Sequence, residues 1–413
     1  MKILMYCLNY APELTGIGKY TSEHAEWLVA QGHDVRVVTA PPYYPEWSVA
    51  AGYKAWQYRR ECRNGVDIFR TPIWVPRSPS GLKRLLHLAS FALSSLPALL
   101  VQAPWKPDVI FVVEPPLFCS PAALVFSKLF HAKSWLHIQD FEIDAAFSLG
   151  LLKNKRLQSM VLKAERWLMG KFGTVSTISK AMMELARRKG VNEDRLIHFP
   201  NWVDLNNVAP QSSSTAFRQS LGIPVDAIVG LYSGNMGGKQ GLEVLGDAAH
   251  ALRARTNIHF IFCGDGPAKA ALQEQCASLE RIHFLPLQPA ALLPALLATA
   301  DIHLLPQRAD AADLVMPSKL TGMLASGRPI VATANDGTEL AATVATCGLV
   351  VPPNEPQALA DAVLVLAKRH DMRFDFGRQA RRYAEHTLAI DSILGAFIER
   401  ASKLLQKQRS YTQ

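Results

Sequence analysis

The stretch MPSKLTGMLASGRPIVAT, residues 316–333, decides the fold because it reads as a helix followed by a strand. Pro317 and Ser318 stand where a helix should begin, and a Gly-Arg-Pro turn separates the helix from the apolar run Ile330–Thr333. Unpaired backbone N–H groups at a helix start, with the Ser318 hydroxyl and the Lys319 ammonium, suit a diphosphate. The stretch therefore predicts an αβ unit with an anion site.

Two further glycine-rich turns follow predicted strands in the same half of the chain. The first, GNMGGK at residues 234–239, ends in a lysine that could neutralise phosphate; its spacing and Gln240 differ from a Walker A loop. The second, CGDGP at residues 263–267, suits a flat ring or a ribose packed against backbone. Each turn is common by itself, and the three sites together indicate one shared ligand.

The chain of 413 residues is long for one domain and predicts two. Near-continuous apolar runs such as residues 109–113 indicate parallel strands covered on both faces. We predict an α/β protein of the GT-B type, with two doubly wound Rossmann-like domains facing each other across a cleft. The polar segment 207–215 is the linker candidate, so the domains are 1–206 and 207–387, with a final helix over 388–413 that packs back on the first domain.

The predicted strands form two series, each alternating with helices. The first series is 2–8, 35–39, 66–70, 108–113, 134–138, 173–177 and 196–199, and the second is 228–233, 258–263, 282–285, 301–305, 330–334 and 349–351. The clearest predicted helices are 19–31, 357–369, 372–387 and 392–408.

The composition limits the kinds of partner. The net charge of +9 is compatible with nucleic acid, an anionic membrane surface or a phosphate-bearing small molecule. The chain has no nucleic-acid-binding motif, which disfavours the first class. The six cysteines are scattered without a CxxC pair, which predicts reduced cytosolic thiols rather than disulfides or a zinc site.

The segment 82–101 is rich in Leu and Ala, begins with Lys83 and Arg84, and is interrupted by His87 and Pro97. It is too broken to span a bilayer comfortably. It predicts either a buried helix pair or an interfacial element with basic flanks that docks on a membrane.

Two places in the first half could contact a ligand. Gly16 and Gly18, in the loop before the predicted helix 19–31, would let the backbone approach a ligand, although GxGxxG is absent and a loop without a ligand is the alternative. The stretch WLHIQDFEID, residues 135–144, places His137 and Asp140 near a strand end. Its alternating acids do not complete a metal-ligand set, and His137 is either structural or in contact with substrate.

Taken together, these motifs resemble the GT-B glycosyltransferases of family 4 over nearly the whole chain. The matching segments are PELTGIG at 12–18, FPNWVD at 199–204, GN at 234–235, KQGLE at 239–243, CGDGP at 263–267 and PSK at 317–319. The combination is specific, although the single segments are not.

The resemblance implies roles for particular residues. It implies that Lys239 and Lys319 neutralise the donor diphosphate and that His137 or Asp140 faces the transferred sugar, as the catalytic set. The donor-binding residues that it implies are Gly16, Gly18, Gly234, Asn235, Gly264, Asp265, Gly266, Pro317, Ser318, Leu320 and Glu339. It also implies transfer with retention and without a metal or other cofactor.

The sequence departs from the family pattern at three positions. Many members carry two glutamates seven residues apart, and Leu314 and Gly322 stand at the aligned positions. Asn235 replaces an arginine that often follows the glycine matched to Gly234. Glu339 is a substitute candidate that either contacts the donor or caps a helix.

Within the family, the pattern looks like that of enzymes of colanic acid, an exopolysaccharide of the slime layer. This implies transfer of a hexose, fucose from GDP-fucose, to a polyprenyl-diphosphate-linked acceptor. It also implies a cytoplasmic protein, peripheral on the inner face of the bacterial inner membrane, with other assembly enzymes as possible partners. A sugar-nucleotide epimerase of the same fold and a catalytically inactive scaffold are the alternatives.

Overall fold

The computed structural model describes residues 1–13, 16–78, 81–141, 143–144, 155–210, 215–309 and 316–412, without the side chains of 155, 157, 215, 239 and 407–412. It divides into two compact units. The first comprises Met1–Pro200 and Asp391–Gln413, and the second comprises Asn201–Ile390.

The first unit is built on an eight-stranded sheet in the order β3-β4-β2-β1-β5-β6-β7-β8, parallel except for the β3–β4 pair. Its strands are β1 Lys2–Tyr6, β2 Asp34–Thr39, β3 Arg59–Arg63, β4 Val66–Arg70, β5 Val109–Glu114, β6 Lys133–Ile138, β7 Thr174–Thr177 and β8 Leu196–His198. Every residue of β5 is buried, as expected for a central strand covered on both faces.

The helices of the first unit include α1 Gly16–Ala30, α2 Gly81–Ser94, α3 Leu96–Val101, α4 Ser120–Phe130, α5 Lys155–Met169 and α6 Lys180–Arg188. The last helix, α15 Ile390–Thr412, also packs here. Its Phe397 ring meets His24 of α1 and Phe111 of β5 edge-on, with ring centroids 4.6 and 5.4 Å apart. Trp27 donates to Asp391 Oδ1 over 2.8 Å at the start of the same helix.

The second unit is built on a six-stranded parallel sheet in the order β11-β10-β9-β12-β13-β14. Its strands are β9 Ile228–Ser233, β10 Ile258–Cys263, β11 Ile282–Leu285, β12 Ile302–Leu305, β13 Ile330–Thr333 and β14 Gly348–Val351. Its helices include α7 Thr215–Ser220, α8 Glu243–Ala251, α9 Lys269–Gln275, α10 Leu293–Thr299, α11 Lys319–Ala325, α12 Glu339–Ala345, α13 Pro356–Lys368 and α14 His370–Thr387. Apolar clusters cover both faces of the sheet. Both predicted Rossmann-like units are thus confirmed.

One strand was not predicted, and the first helix begins three residues earlier than predicted. Strand β3 has the sequence RRECR, whose charged residues give no apolar pattern, and it forms an exposed antiparallel edge. Helix α1 begins at Gly16 rather than at Lys19, so both glycines of the predicted loop lie in its first turn.

The segment 82–101 forms α2 and α3, and it is not the wholly buried pair that one interpretation predicted. Its inner side buries His87, Leu88 and Phe91, while seven leucine or valine side chains of the two helices are exposed. The stretch Gly81–Val101 is long and apolar enough to cross a membrane by length and composition, and 33% of its most apolar window is buried.

Candidate functional site

Two glycine turns meet at the carboxyl ends of β9 and β10. The Gly234 amide donates to Cys263 O over 2.9 Å, and the Gly264 amide donates to Leu285 O over 3.0 Å. Gly264 has φ +153°, and a Cβ built on it would lie 1.9 Å from Gly234 O. Only a glycine fits there, because the two backbones touch.

The turn at residues 264–266 is held in place by hydrogen bonds to the side chain of Asp265. Asp265 accepts from Lys269 Nζ over 2.7 Å and from the Leu287 amide over 2.8 Å. A Cβ on Gly266 would lie 2.5 Å from Met236 O, so this glycine also allows close approach of the two turns. The predicted residues 234–235 and 264–266 therefore form one compact backbone platform.

Lys319, the first residue of α11, extends its side chain to this platform. Its Nζ donates to Tyr232 Oη over 2.7 Å and lies 4.0 Å from the centre of the tyrosine ring. A Cβ on Gly234 would lie 3.1 Å from Lys319 Cε. Lys319 is partly buried, and burial lowers its pKa to about 7 because it disfavours the charged form. The structure thus brings a partly buried cation against the Gly234 turn.

The neighbours of Lys319 differ in what they offer. Ser318 has helical backbone angles (φ −60°, ψ −26°) and is partly buried, as is Pro317. The side chain of Leu320 lies in the hydrophobic core, so only its backbone can face a ligand. At Gly322 a Cβ would lie 3.3 Å from Leu297 Cδ1, so a side chain there would meet the packed helix α10.

Glu339 does not cap α12. Thr338 is the capping residue, because its Oγ1 accepts from the Ala341 amide over 3.2 Å. Glu339 is the first helical residue and is partly buried. Of its two predicted roles, the contact with a donor is therefore the one that stays a prediction.

Two predicted positions cannot be placed. The side chain of Lys239 and the whole of Leu314 lie outside the described residues. The backbone at Lys239 belongs to a short 3₁₀ turn, Gly238–Gln240, which follows the Gly234 platform directly.

In the first unit, Gly16 and Gly18 occupy the first turn of α1. Gly16 has φ +58°, and a Cβ on Gly18 would lie 2.8 Å from Glu13 Oε2. Glu13 is buried and accepts from the amides of Tyr43 and Tyr44 over 3.0 and 3.1 Å. Burial raises its pKa to about 7. Glu13 thus packs against the first turn of α1 and holds the Tyr43–Tyr44 backbone beside it. The sequence motif did not reveal this role.

His137 is a structural histidine, which corrects its placement beside the transferred sugar. It is 3% exposed and stacks on Phe111 with ring centroids 5.6 Å apart. Its Nε2 lies 2.9 Å from Gln139 Nε2, a donor, and its Nδ1 lies 2.9 Å from Ser176 Oγ. Both ring nitrogens are therefore used within the sheet, and burial lowers its pKa to about 3.

Asp140 comes two residues after β6 ends and is partly buried. The segment that follows it is anchored by Lys189, whose Nζ lies 2.6 Å from Asp144 Oδ2 and also pairs with the buried Glu165. Asp140 is thus the member of the predicted His137–Asp140 pair that lies beyond the strand end.

The described residues contain no group of three or more His, Cys, Asp or Glu side chains placed to hold a metal ion. Two described cations lie at the glycine platform: Lys269 is paired with Asp265, and Lys319 lies against the Gly234 turn.

Two family models match the chain. One, described as a glycosyl transferase 4-like domain, matches residues 15–202. The other, described as glycosyl transferases group 1, matches residues 227–369. The first match runs through the first unit from residue 15 and ends two residues inside the second, and the second match lies within the second unit.

Curated proteins and solved structures are also similar to the chain. It is 45% identical to the putative colanic acid biosynthesis glycosyl transferase WcaI of Escherichia coli (strain K12), over 96% of this chain and 99% of that protein. The sucrose-phosphate synthase structure from Thermosynechococcus elongatus superposes with a TM-score of 0.78 at 16% identity, covering 98% of this chain and 99% of that one. Anabaena HepE in complex with UDP and glucose superposes with a TM-score of 0.70 at 18% identity, covering 98% and 100%. At these identities the two structures show the fold alone.

Proposed function

This chain belongs to the GT-B glycosyltransferases of family 4, and on that premise we propose that it transfers a hexose with retention to a lipid-linked acceptor. Its 45% identity to a protein named for colanic acid biosynthesis supports a role in making that exopolysaccharide. The donor in this proposal is GDP-fucose, and the acceptor is a polyprenyl-diphosphate-linked oligosaccharide.

The observation that carries the proposal is the position of Lys319. Its ammonium lies against a platform of close-packed glycine backbone at the carboxyl ends of β9 and β10, where ligands of open α/β sheets bind. A diphosphate placed there would meet a cation in low-dielectric surroundings, where its charge acts more strongly than in water. Lys239 is the second cation of the proposal, by its place in the motif.

The proposed reaction is a direct transfer of the sugar. The bond between the sugar C1 and the diphosphate oxygen breaks, and the acceptor hydroxyl forms the new bond on the same face of the sugar. The acceptor proton passes to the departing diphosphate, so charge and atoms balance without a covalent intermediate. Lys319 offsets the negative charge that develops on the leaving group. Asp140 is the proposed sugar contact, by its place in the family motif. This chemistry requires no metal ion or other cofactor in our proposal.

Mass spectrometry of reaction products tests this function. The protein is incubated with GDP-fucose, other GDP-hexoses and UDP-hexoses, each with a short polyprenyl-diphosphate-linked glycan. We expect one donor to add one hexose mass to the acceptor. An isomerised donor formed without acceptor would support an epimerase instead, and donor binding without any transfer would support an inactive scaffold.

The affinity for the donor should depend on pH through Lys319. In the free protein its pKa is about 7, so the ammonium is charged below that pH and largely neutral above it. A bound diphosphate favours the charged form of Lys319. Above pH 7 the lysine must therefore take up a proton when the donor binds, and the affinity falls by up to about tenfold per pH unit.

Titration calorimetry with the productive nucleotide sugar at several pH values measures this effect. Lys319→Met is the control, because it keeps the aliphatic stem and should remove the dependence. An equal affinity on both sides of neutrality in the unmodified protein would contradict the assignment.

A membrane-facing surface also belongs to the proposal. It is defined by the exposed apolar side chains Leu82, Leu85, Leu86, Leu93, Leu96, Leu100, Val101, Phe118, Val125 and Leu129 of α2, α3, α4 and the turn before α4. Helix α3 contacts α4. Exposed Lys83 and Lys128 lie on α2 and α4, and exposed Trp74 is tied to α2 by its backbone amide, which donates to Ser90 Oγ over 3.0 Å. Apolar side chains with basic and aromatic neighbours fit an anionic lipid surface at the cytoplasmic face.

Leu93→Asp should weaken binding to phosphatidylglycerol-containing vesicles by about 10- to 150-fold, because one inserted leucine contributes about 1.5–3 kcal/mol. Leu93 is 69% exposed, so its replacement should not disturb the fold. Val225→Asp is the matched control, since Val225 is 84% exposed in the second unit and the charge change is the same. Equal vesicle co-sedimentation of both variants and the unmodified protein would contradict this surface.

A further inference from the structure

We infer that Tyr232 is a positioning residue that holds the Lys319 ammonium in place for the donor diphosphate, an inference that rests on the proposed function. Tyr232 is the fifth residue of β9 and is 0% exposed. No sequence motif pointed to it, because it reads as one more buried residue of a parallel strand.

The direction of the hydrogen bonds around Tyr232 is fixed by chemistry. Its hydroxyl lies 2.6 Å from Asn235 O, and a carbonyl oxygen can only accept, so the single hydroxyl proton goes there. Toward Lys319 Nζ, at 2.7 Å, the same oxygen must then accept. Burial raises the pKa of Tyr232, which keeps the hydroxyl protonated.

This arrangement leaves two of the three N–H groups of the ammonium for a ligand. Among the described residues, Lys319 Nζ hydrogen-bonds to Tyr232. No other titratable group of the described residues contacts this ammonium. The hydroxyl also ties the lysine to the Asn235 carbonyl, so the cation and the glycine turn keep a fixed spacing. Tyr232 thus links Lys319 to the Gly234 turn, which are the two parts of the proposed diphosphate site.

A purely structural role makes a different prediction from a positioning role. If Tyr232 only fills the core, removing its hydroxyl should change thermal stability and leave the pH dependence of binding unchanged. If it positions Lys319, the ammonium loses its acceptor, the charged form becomes less favourable, and the pH above which affinity falls moves lower.

The test is Tyr232→Phe, which keeps the ring under the ammonium and removes only the hydroxyl. Affinity for GDP-fucose and for UDP-glucose is measured by calorimetry from about pH 5.5 to about pH 8.5, because their diphosphates do not titrate in that range. We expect binding of the better ligand to weaken about tenfold at neutral pH, with the fall in affinity displaced to lower pH.

Tyr6→Phe is the matched control, since it removes a buried tyrosine hydroxyl that bonds Ser95 in the first unit. It should leave both affinity and pH profile unchanged. Unaltered binding in Tyr232→Phe, with strong loss in Lys319→Met, would overturn the inference and leave the proposed function standing. Binding of neither nucleotide sugar by the unmodified protein would overturn both.

Discussion

Replacing Lys319 by alanine is expected to reduce kcat by about 10²–10³-fold while the fold stays intact. The ammonium lies against the Gly234 turn, with Nζ 2.7 Å from Tyr232 Oη. Its attraction to the leaving diphosphate is strongest in the transition state, when negative charge develops on that group. Steady-state kinetics with saturating donor and acceptor measure the loss, and circular dichroism checks the fold.

Two further variants separate charge from packing. Lys319→Met keeps the stem beside Gly234 and should lose as much activity as the alanine variant. Lys368→Ala removes an exposed lysine of the same unit and should retain full activity. A kcat near that of the unmodified protein in both Lys319 variants would remove this residue from the reaction.

Gly264→Ala should abolish donor binding and destabilise the second unit. The new Cβ would lie 1.9 Å from Gly234 O, and φ at this position is +153°. The backbones of the two turns must separate, because neither atom belongs to a flexible side chain. Strain and overpacking together should cost roughly 2–5 kcal/mol, which lowers the melting temperature of a unit of this size by roughly 10 °C.

Two other glycines of the same unit are matched controls. Gly337 has φ +79° with open space around its Cβ position, so Gly337→Ala reports backbone strain without a clash. Gly238 has open space and no positive φ, so Gly238→Ala should melt close to the unmodified protein. If Gly264→Ala melted no lower than Gly337→Ala and still bound the donor, the close contact of the two turns would be disproved.

The sheets were largely predictable because parallel strands buried on both faces carry continuous apolar runs. β4, β9, β10 and β11 begin and end at the predicted residues, and the other predicted strands differ by one or two. β3 was missed because an exposed edge strand made mostly of charged residues has no apolar signal. Its pairing with β4 depends on a short Asn-Gly turn at positive φ rather than on burial.

The site was less predictable, because sequence position does not show which way a side chain turns. His137 lies near a strand end where a substrate contact was expected, yet its ring is buried against Phe111. Conversely, the sequence around Tyr232 indicates an ordinary core residue, yet its hydroxyl accepts a hydrogen bond from Lys319. Thr338, not Glu339, caps α12, because a threonine with extended backbone angles directly precedes the helix.

The central claim is that a nucleoside diphosphate binds with its phosphates between Lys319 and the Gly234 turn. A crystal structure of the protein with GDP or UDP tests this most directly. We predict phosphate oxygen atoms within about 3 Å of Lys319 Nζ, with the nucleoside over the Gly264–Gly266 turn. A nucleotide bound away from Lys319, with the Gly234 platform unoccupied, would contradict the account.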